Sequence, residues 1–378
     1  MDKHYQPKFQ EEYSAKIPAL TLLTSLGWTF LSPKQIMDYR GYKQDEVVLR
    51  PVLREELSKR SFMAGGKTCQ LSEKALANLI SQVCSPALNE GLLKANERMY
   101  NHLLYGIAVT EFVDGKKVNP TIALIDWEHP ENNQFHFTEE FTVLRSGGVE
   151  TRRPDIVCFV NGIPLAVIEA KSPAGHGKKG PTIDEGISQS IRNQFNDEIP
   201  QLFVYSQLLL SINGHDGRYG TCHTPMKFWA AWREEDITDP QMYALRNHPL
   251  STEQIHALFD HRPSVDLKWY QQLIDGGELA VSGQDKLLIS LLSPERLLEM
   301  TRFFTLFDKK TGKIVARYQQ VFGIKRLLER ISTRRPDGGR EGGVIWHTTG
   351  SGKSYTMVFL SKALILHDSL KQCRIVVV

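Results

Sequence analysis

The sequence predicts an α/β protein built from three regions of different texture. Residues 1–110 and 240–330 have helical periodicity, as in SEKALANLISQV, LNEGLLKANERMYNHLLYG, SPERLLEMTRFFTLF and ARYQQVFGIKRLLERI. Residues 120–235 hold short apolar runs that are typical of strands: TIALIDW, FHFTEEFTVL, DIVCFV, IPLAVIEA and KFWAAW. Towards the C-terminal end, GVIWH, TTGSGK, SYTMVFLSKALILHD and RIVVV indicate a strand, a loop, a helix and a strand, which together form a βαβ unit.

The composition limits the size, charge and cellular location that we expect of the protein. The chain has 378 residues and a formal net charge of +3, enough for two or three cores but too little charge to indicate a nucleic-acid partner by itself. The five cysteines have no paired spacing, so we expect neither a disulfide framework nor a zinc site, and Cys158 should be a core residue. The N-terminus has no signal-peptide core and no long apolar run follows, so we predict a cytoplasmic protein without membrane contact.

Loop-like stretches at AGHGKKGPT (174–182) and RRPDGGREGG (334–343) interrupt these regions. We place a first domain with a helical N-terminal part at residues 1–255 and a helical connection at 256–290. Residues 291–378 should begin the domain that contains the βαβ unit.

The segment RRPDIVCFVNGIPLAVIEAKSP (152–173) predicts a β-hairpin. Asn161 and Gly162 both tolerate positive φ, which favours a tight turn. Apolar residues occupy both faces of the first strand, so the hairpin should be covered on both sides.

Three chemically useful side chains meet at one end of this hairpin. Asp155 opens the first strand, and Glu169 and Lys171 lie two residues apart, on one face, near the end of the second. Two carboxylates can hold Mg²⁺, with the carbonyl of Ala170 as a third ligand, and the lysine can stabilise charge on a phosphate. This set predicts phosphodiester cleavage. The plain alternative, a turn cap and solvated strand-end charges, has about equal weight on the pattern alone, but charges beside a doubly covered strand need a partner.

The register of the hairpin imposes a condition. A strict two-residue turn would pair Asp155 with Ile168 and turn Glu169 to the opposite face. We therefore predict a three-residue loop, or a bulge with Gly162 in the left-handed region. Downstream, residues 182–185 fit a capping box that opens a helix, on which Gln189 and Asn193 share a polar stripe. Spacing alone favours solvent for that stripe over contact with the hairpin.

Residues 347–354, HTTGSGKS, match G-x-x-x-x-G-K-[ST] except that His347 replaces the first glycine. The loop's amides would cradle the phosphates of ATP, Lys353 would reach the β- and γ-phosphates, and Ser354 would bind Mg²⁺. The alternative is a plain glycine-rich turn. The predicted nucleotide-binding residues are Thr349, Gly350, Ser351, Gly352, Lys353 and Ser354. No acidic Walker B motif follows them, so we expect an incomplete motor that hydrolyses ATP poorly.

Several segments occur in the order found in one known family. They are TIALIDWEHPENNQFHFTEEF, RRPDIVCFVNGIPLAVIEAKSP, IPQLFVYSQ, GTCHTPMKFWAAW, ARYQQVFGIKRL and HTTGSGKS. With them the chain resembles the N-terminal portion of the restriction (R) subunit of type I restriction-modification enzymes. The resemblance implies a restriction-endonuclease-like α/β core of the PD-(D/E)xK type with helical additions, followed by the start of a RecA-like domain of a superfamily 2 DNA translocase.

The resemblance also implies roles for individual residues. Asp155, Glu169 and Lys171 match the catalytic positions, and Gln189 matches the glutamine of a Q-x-x-x-Y element whose tyrosine is Asn193 here. Gln320 is similar to an adenine-reading glutamine, although the adjacent glutamine leaves its register open.

The implied cofactors are Mg²⁺ and ATP, and the implied partners are double-stranded DNA and the methylation (M) and specificity (S) subunits. Because the specificity subunit would read the sequence, this chain would need mainly phosphate contacts. Arg152, Arg153, Lys178 and Lys179 are candidates for those contacts, or are ordinary surface charges.

Two other functions stay open. A docking module without cleavage would retain the fold only to bind partner subunits, and the intact Asp-Glu-Lys set argues against it. A repair-type helicase-nuclease would share the motifs, and the long resemblance outside them argues against that.

Overall fold

The computed structural model describes residues 10–173, 182–346, 348, 352–367, 370 and 374–376. A π-helical turn at Glu12–Lys16 leads into the first helix, and 3-10 turns lie at Pro130–Asn132 and Met226–Phe228. The α-helices are α1 Ile17–Ser25, α2 Pro33–Tyr39, α3 Arg50–Ser58, α4 Glu73–Cys84, α5 Leu92–Tyr105, α6 Thr182–Arg192, α7 Pro200–Phe203, α8 Asp239–Arg246, α9 Thr252–Phe259, α10 Ser264–Asp275, α11 Gly283–Leu292, α12 Pro294–Phe303, α13 Tyr318–Ser332 and α14 Lys353–Leu366.

The strands are short outside the central sheet. They are β1 Thr29–Phe30, β2 Ser61–Ala64, β3 Lys67–Gln70, β4 Ile107–Ala108, β5 Glu111–Val113, β6 Lys116–Val118, β7 Thr121–Ile122, β8 Phe135–Glu139, β9 Val143–Leu144, β10 Thr151–Arg152, β11 Ile156–Val160, β12 Ile163–Ala170, β13 Leu208–Ile212, β14 Gly217–Gly220, β15 Thr305–Asp308 and β16 Gly312–Val315.

A six-stranded mixed sheet forms the centre, in the order β1-β8-β11-β12-β13-β14. The pairs β1–β8 and β12–β13 are parallel, and the other three are antiparallel. Every residue of β11 and β12 is buried. The prediction that the hairpin is covered on both sides is therefore confirmed, and the sheet supplies a rigid base at its middle.

Helices cover this sheet. Helix α6 packs against β12 and β13, α2 packs against β8, and α1 packs against α11. The indole nitrogen of Trp28 donates to Leu292 O at 2.7 Å, and the Tyr100 hydroxyl donates to Thr301 O at 3.0 Å. Residues beyond 256 thus pack on the helices of residues 1–110, while the division at 255 and 290 stays a prediction.

Two strand predictions were wrong. In KFWAAW the chain forms the 3-10 turn and only a single bridge between Ala230 and Tyr219. The ring of Trp229 is buried against Gly220, so its apolar character reflects anchoring and not strand pairing. The TIALIDW strand ends at Ile122, after which Leu124 is buried without pairing.

The helix predicted over 293–307 is also too long. Helix α12 ends at Phe303, and the next residues pair with β16. Asp308 closes the connecting turn, because its Oδ1 accepts the backbone N–H groups of Lys310 at 2.9 Å and Thr311 at 2.8 Å. The helical periodicity of this segment did not indicate the turn, which depends on the side chain of Asp308.

The C-terminal βαβ unit is present only in part. Helix α14 agrees with the predicted helix, but residues 343–346 and 374–376 carry no strand. A strand exists only with a hydrogen-bonded neighbour, and neither segment has one among the described residues. Among all the residues that the structure describes, no helix is both long and apolar enough to cross a membrane.

Candidate functional site

The central hairpin meets the predicted register condition by a bulge. Asn161 and Gly162 form a two-residue turn with φ of 52° and 80°. The register then shifts within β12, because Phe159 pairs with Pro164 but Cys158 pairs with Ala166. Leu165 is therefore the extra residue. The bulge is confirmed with Gly162 in the left-handed region, although the inserted residue lies three positions beyond that glycine.

This shift determines which side chains share a face. Ile156 pairs with Ile168 after the bulge, so one further step sets Asp155 opposite Glu169. The Asp155 carboxylate accepts the Ala170 N–H at 2.8 Å and lies 3.5 Å from Lys171 Nζ. The three predicted catalytic residues thus lie together at the end of the hairpin.

Helix α6 closes over the buried carboxylate. Gln189 Nε2 donates to one oxygen of Glu169 at 2.7 Å, and Asn193 Nδ2 lies 3.5 Å from the other. The expectation that this polar stripe faces solvent was wrong. Helix and sheet approach closely at Gly186, where a Cβ would collide with Ser211 Oγ, so the amide side chains reach the sheet.

The electrostatics of the site are dominated by Glu169. Its side chain is fully buried, and burial, followed by the nearby charge of Asp155, raises the pKa of Glu169 well above its usual range. Lys171 does not neutralise Glu169 directly, since its ammonium lies 2.7 Å from Ala170 O and 3.5 Å from Asp155. Burial therefore favours the protonated form of Glu169 above the pH at which an ordinary carboxyl ionises.

Glu11 is a third acidic residue at the site, and sequence reasoning missed it. It precedes the π-helical turn, and its carboxylate lies 4.0 Å from Lys171 Nζ. Burial raises the pKa of Glu11, opposed by the positive charge of Lys171. No spacing in the sequence links residue 11 to the hairpin; only tertiary packing joins them.

The donor set suits a hard cation. Within the described ranges no group of three or more histidine, cysteine, aspartate or glutamate side chains is arranged to hold a metal ion. Asp155 and Glu169 would be the side-chain ligands, with the carbonyl of Ala170, which here accepts from Lys171, as the backbone ligand. Mg²⁺ accepts such a set because it keeps several waters. The fully buried carboxyl of Glu169, beside the carboxylate of Asp155, is the observation that fits a cation.

The basic residues proposed for DNA contacts have different environments. Arg152 forms a two-pronged pair with Glu198, with Nη2 2.9 Å from Oε1, and Arg153 lies 3.1 Å from Glu140. Lys178 and Lys179 lie outside the described residues. The two arginines are therefore already paired with carboxylates.

The phosphate loop is described only at its end. Thr349, Gly350 and Ser351 lie outside the described residues, as does His347. Gly352 has φ of 86° and precedes α14, where Lys353 and Ser354 are exposed in the first turn. Gln320 is buried and donates from Nε2 to Gly352 O at 3.2 Å, so it reaches the described end of the loop.

Comparisons with known proteins agree on one family. Residues 8–228 match the type I restriction enzyme R protein N terminus, and residues 319–378 match the SWI2/SNF2 ATPase family. The HindI type I restriction enzyme endonuclease subunit of Haemophilus influenzae is 30% identical over 96% of this chain and 31% of its own length. The putative MjaIXP endonuclease subunit of Methanocaldococcus jannaschii is 26% identical over 96% of this chain and 32% of its own. The chain spans about a third of the length of these relatives.

Proposed function

The chain belongs to the family of type I restriction enzyme R proteins, and on this premise we propose that it carries the Mg²⁺-dependent nuclease centre of such an enzyme. The centre would cleave phosphodiester bonds of double-stranded DNA. The observation that carries the proposal is the bulge at Leu165, which sets Asp155 and Glu169 on one face, where Gln189 holds the buried carboxylate.

The chain's own residues would act in three ways. Asp155 and Glu169 would hold the cation, and Glu169 would release its proton as the cation binds, because burial favours the protonated carboxyl in its absence. Lys171 would orient the attacking water or stabilise negative charge on the scissile phosphate. When bound, Mg²⁺ would supply positive charge that offsets the phosphate and makes water a better nucleophile.

The amide side chains of Gln189 and Asn193 would keep Glu169 in place. Gln189 fixes the carboxylate of Glu169 through a 2.7 Å hydrogen bond, and Asn193 approaches its other oxygen. Asn193 stands where the family element has a tyrosine, so this chain would use an amide where relatives use an aromatic side chain. Partners of this kind commonly alter metal affinity or activity by about 10–100-fold.

We further propose that residues 291–378 begin an ATP-dependent DNA translocase. Gln320 would read the adenine, Lys353 would contact the β- and γ-phosphates, and Ser354 would bind Mg²⁺. The match of residues 319–378 to the SWI2/SNF2 ATPase family and the contact of Gln320 with Gly352 support this assignment. The partners would be DNA and the methylation and specificity subunits of the same restriction system.

Cleavage by the assembled complex tests the proposal. Supercoiled plasmid carrying an unmethylated site is incubated with the complex, ATP and Mg²⁺, and nicked and linear forms are measured. Glu169→Ala should abolish cleavage, while Glu185→Ala, which removes an exposed carboxylate from α6, should cut like the wild type.

Two results would change the conclusion. If Glu169→Ala cuts as well as the wild type, the catalytic assignment is wrong. If the wild-type complex assembles on DNA and hydrolyses ATP but never cuts, the chain is a docking module that keeps the nuclease fold.

A further inference from the structure

An exposed apolar surface lies beside the end of α6. Phe195 is 56% exposed, and across from it the 3-10 turn presents Met226 at 39% and Phe228 at 51%. The two segments are joined, because α6 packs against this turn and His223 N donates to Gln194 Oε1 at 2.8 Å. Large apolar side chains grouped at a surface are characteristic of binding sites.

The same surface carries two cations that have no acidic partner among the described residues. Arg192 is exposed and lies near only Asn193 Oδ1, at 3.5 Å, and Lys227 Nζ lies over the ring of Phe228 at 5.0 Å. Among the described residues neither has a carboxylate within 4 Å, whereas Arg152, Arg153 and Arg145 are all paired. We call the set Arg192, Phe195, Met226, Lys227 and Phe228 the α6-end face.

The α6-end face adjoins the proposed cleavage centre. Arg192 precedes Asn193, whose amide approaches Glu169, and the positive charge of Arg192 acts on that carboxylate. A nucleic-acid strand lying on this face would therefore lie next to Asn193, whose amide approaches the proposed metal ligand Glu169.

Exposed aromatic rings with unpaired cations suit single-stranded nucleic acid. Rings stack on bases, which are accessible only where a duplex is open, and the cations contact phosphates. Phenylalanine, methionine and arginine are also enriched in protein interfaces, so a protein partner is the alternative that the experiments below separate from DNA.

We propose that the α6-end face binds a single-stranded stretch of DNA next to the cleavage centre. Phe195 and Phe228 stack on its bases, and Arg192 and Lys227 contact its phosphates. The inference rests on the proposed function, since DNA is the substrate there, and adds that the DNA is locally opened where it meets the enzyme.

Metal-free binding tests this separately from cleavage. The intact chain is titrated, in EDTA, against a fluorescein-labelled 30-mer of thymidine and against a duplex of equal length, and anisotropy is followed. Phe195→Ala and Phe228→Ala should each weaken oligothymidine binding about tenfold while changing duplex binding little. The matched control is Phe112→Ala, which removes a phenylalanine that is 69% exposed on β5.

Conservative variants identify the interaction. Phe195→Trp should retain binding and Phe195→Leu should lose it, because only an aromatic ring stacks on a base. Arg192→Gln and Lys227→Gln should each lower the slope of log affinity against log salt by about 0.7.

The inference is overturned if the alanine variants bind oligothymidine like Phe112→Ala, or if Phe195→Leu binds like the wild type. It is also overturned if the variants impair assembly with another subunit but not DNA binding, since the face would then contact protein. Glu169→Ala should leave oligothymidine binding intact, so loss of the cleavage proposal and loss of this one give different results.

Discussion

Replacing Glu169 with glutamine should stabilise the cation-free protein at neutral pH while abolishing cleavage. Burial raises the pKa of Glu169, whose ordinary value is 4.5. Above that pH the unfolded chain has lost a proton that the folded chain retains, so stability falls as pH rises until the folded carboxyl also ionises. Glutamine has nearly the same shape and no proton to lose.

The size of the effect has an upper bound. Between the unfolded value of 4.5 and pH 7, the stability lost because the folded carboxyl keeps its proton cannot exceed about 3.4 kcal/mol, at about 1.36 kcal/mol per pH unit. Glutamine also puts an amide NH₂ group in the place of the carboxyl O–H, and a less favourable hydrogen bond there costs about 1 kcal/mol. We therefore expect a net gain of about 1–2 kcal/mol at pH 7, or roughly 2 °C in Tm for a chain of 378 residues, and no gain from this source at pH 4.

Thermal unfolding of the intact chain in EDTA at pH 4 and pH 7 measures this gain. The control is Glu198→Gln, which alters a buried carboxylate paired with Arg152 and Arg145 and should destabilise the protein. Added Mg²⁺ should raise the Tm of the wild type and not that of Glu169→Gln. A Glu169→Gln variant that is no more stable than the wild type at pH 7, or equally stabilised at both pH values, would refute the reasoning.

Three further predictions concern the hairpin, the helix above it and the C-terminal helix. Gly162→Ala should lower the free energy of unfolding by about 2 kcal/mol or more, because φ is 80° and a Cβ would collide with the backbone carbonyl of Leu49. The control is Gly115→Ala, where φ is 75° but the surrounding space is open, and it should cost less in thermal unfolding. Gln189→Ala should slow plasmid cleavage by about 10–100-fold without changing DNA affinity, and an unchanged single-turnover rate would show that its bond to Glu169 is dispensable. Burial lowers the pKa of Lys362 from 10.5 to about 7, so the free energy of unfolding should rise with pH between those values. Lys362→Met should flatten the rise in Tm measured from pH 7 to 9. An unaltered slope would contradict the lowered pKa of Lys362.

The hairpin was largely predictable because its signals are local. The turn residues at 161–162 have fixed conformational preferences, and the apolar runs on either side agree with β11 and β12. The register alone required either a three-residue loop or a bulge, but it gave neither the choice between them nor the position of the bulge. Pro164 was the available signal, since a proline within a strand often marks an irregularity.

The contacts of α6 and the position of Glu11 were harder to predict. A polar stripe on an amphipathic helix ordinarily faces water, and only Gly186, a glycine in mid-helix, suggested that this helix approaches its neighbour closely. Glu11 reaches Lys171 through packing across the whole domain. Distances of this kind depend on tertiary structure, which residue spacing does not encode.

The bulge at Leu165 fixes whether the number of residues from Asp155 to Glu169 is odd or even. A plain two-residue turn pairs residues whose numbers differ by an odd count, yet Asp155 and Glu169 differ by an even one. One extra residue changes that difference from odd to even. The hairpin can therefore vary in length, but the difference between the two carboxylate positions must stay even while the bulge is kept. In related chains, residues between the two carboxylates should be gained or lost in twos, or singly only where the bulge is lost or moved into the turn.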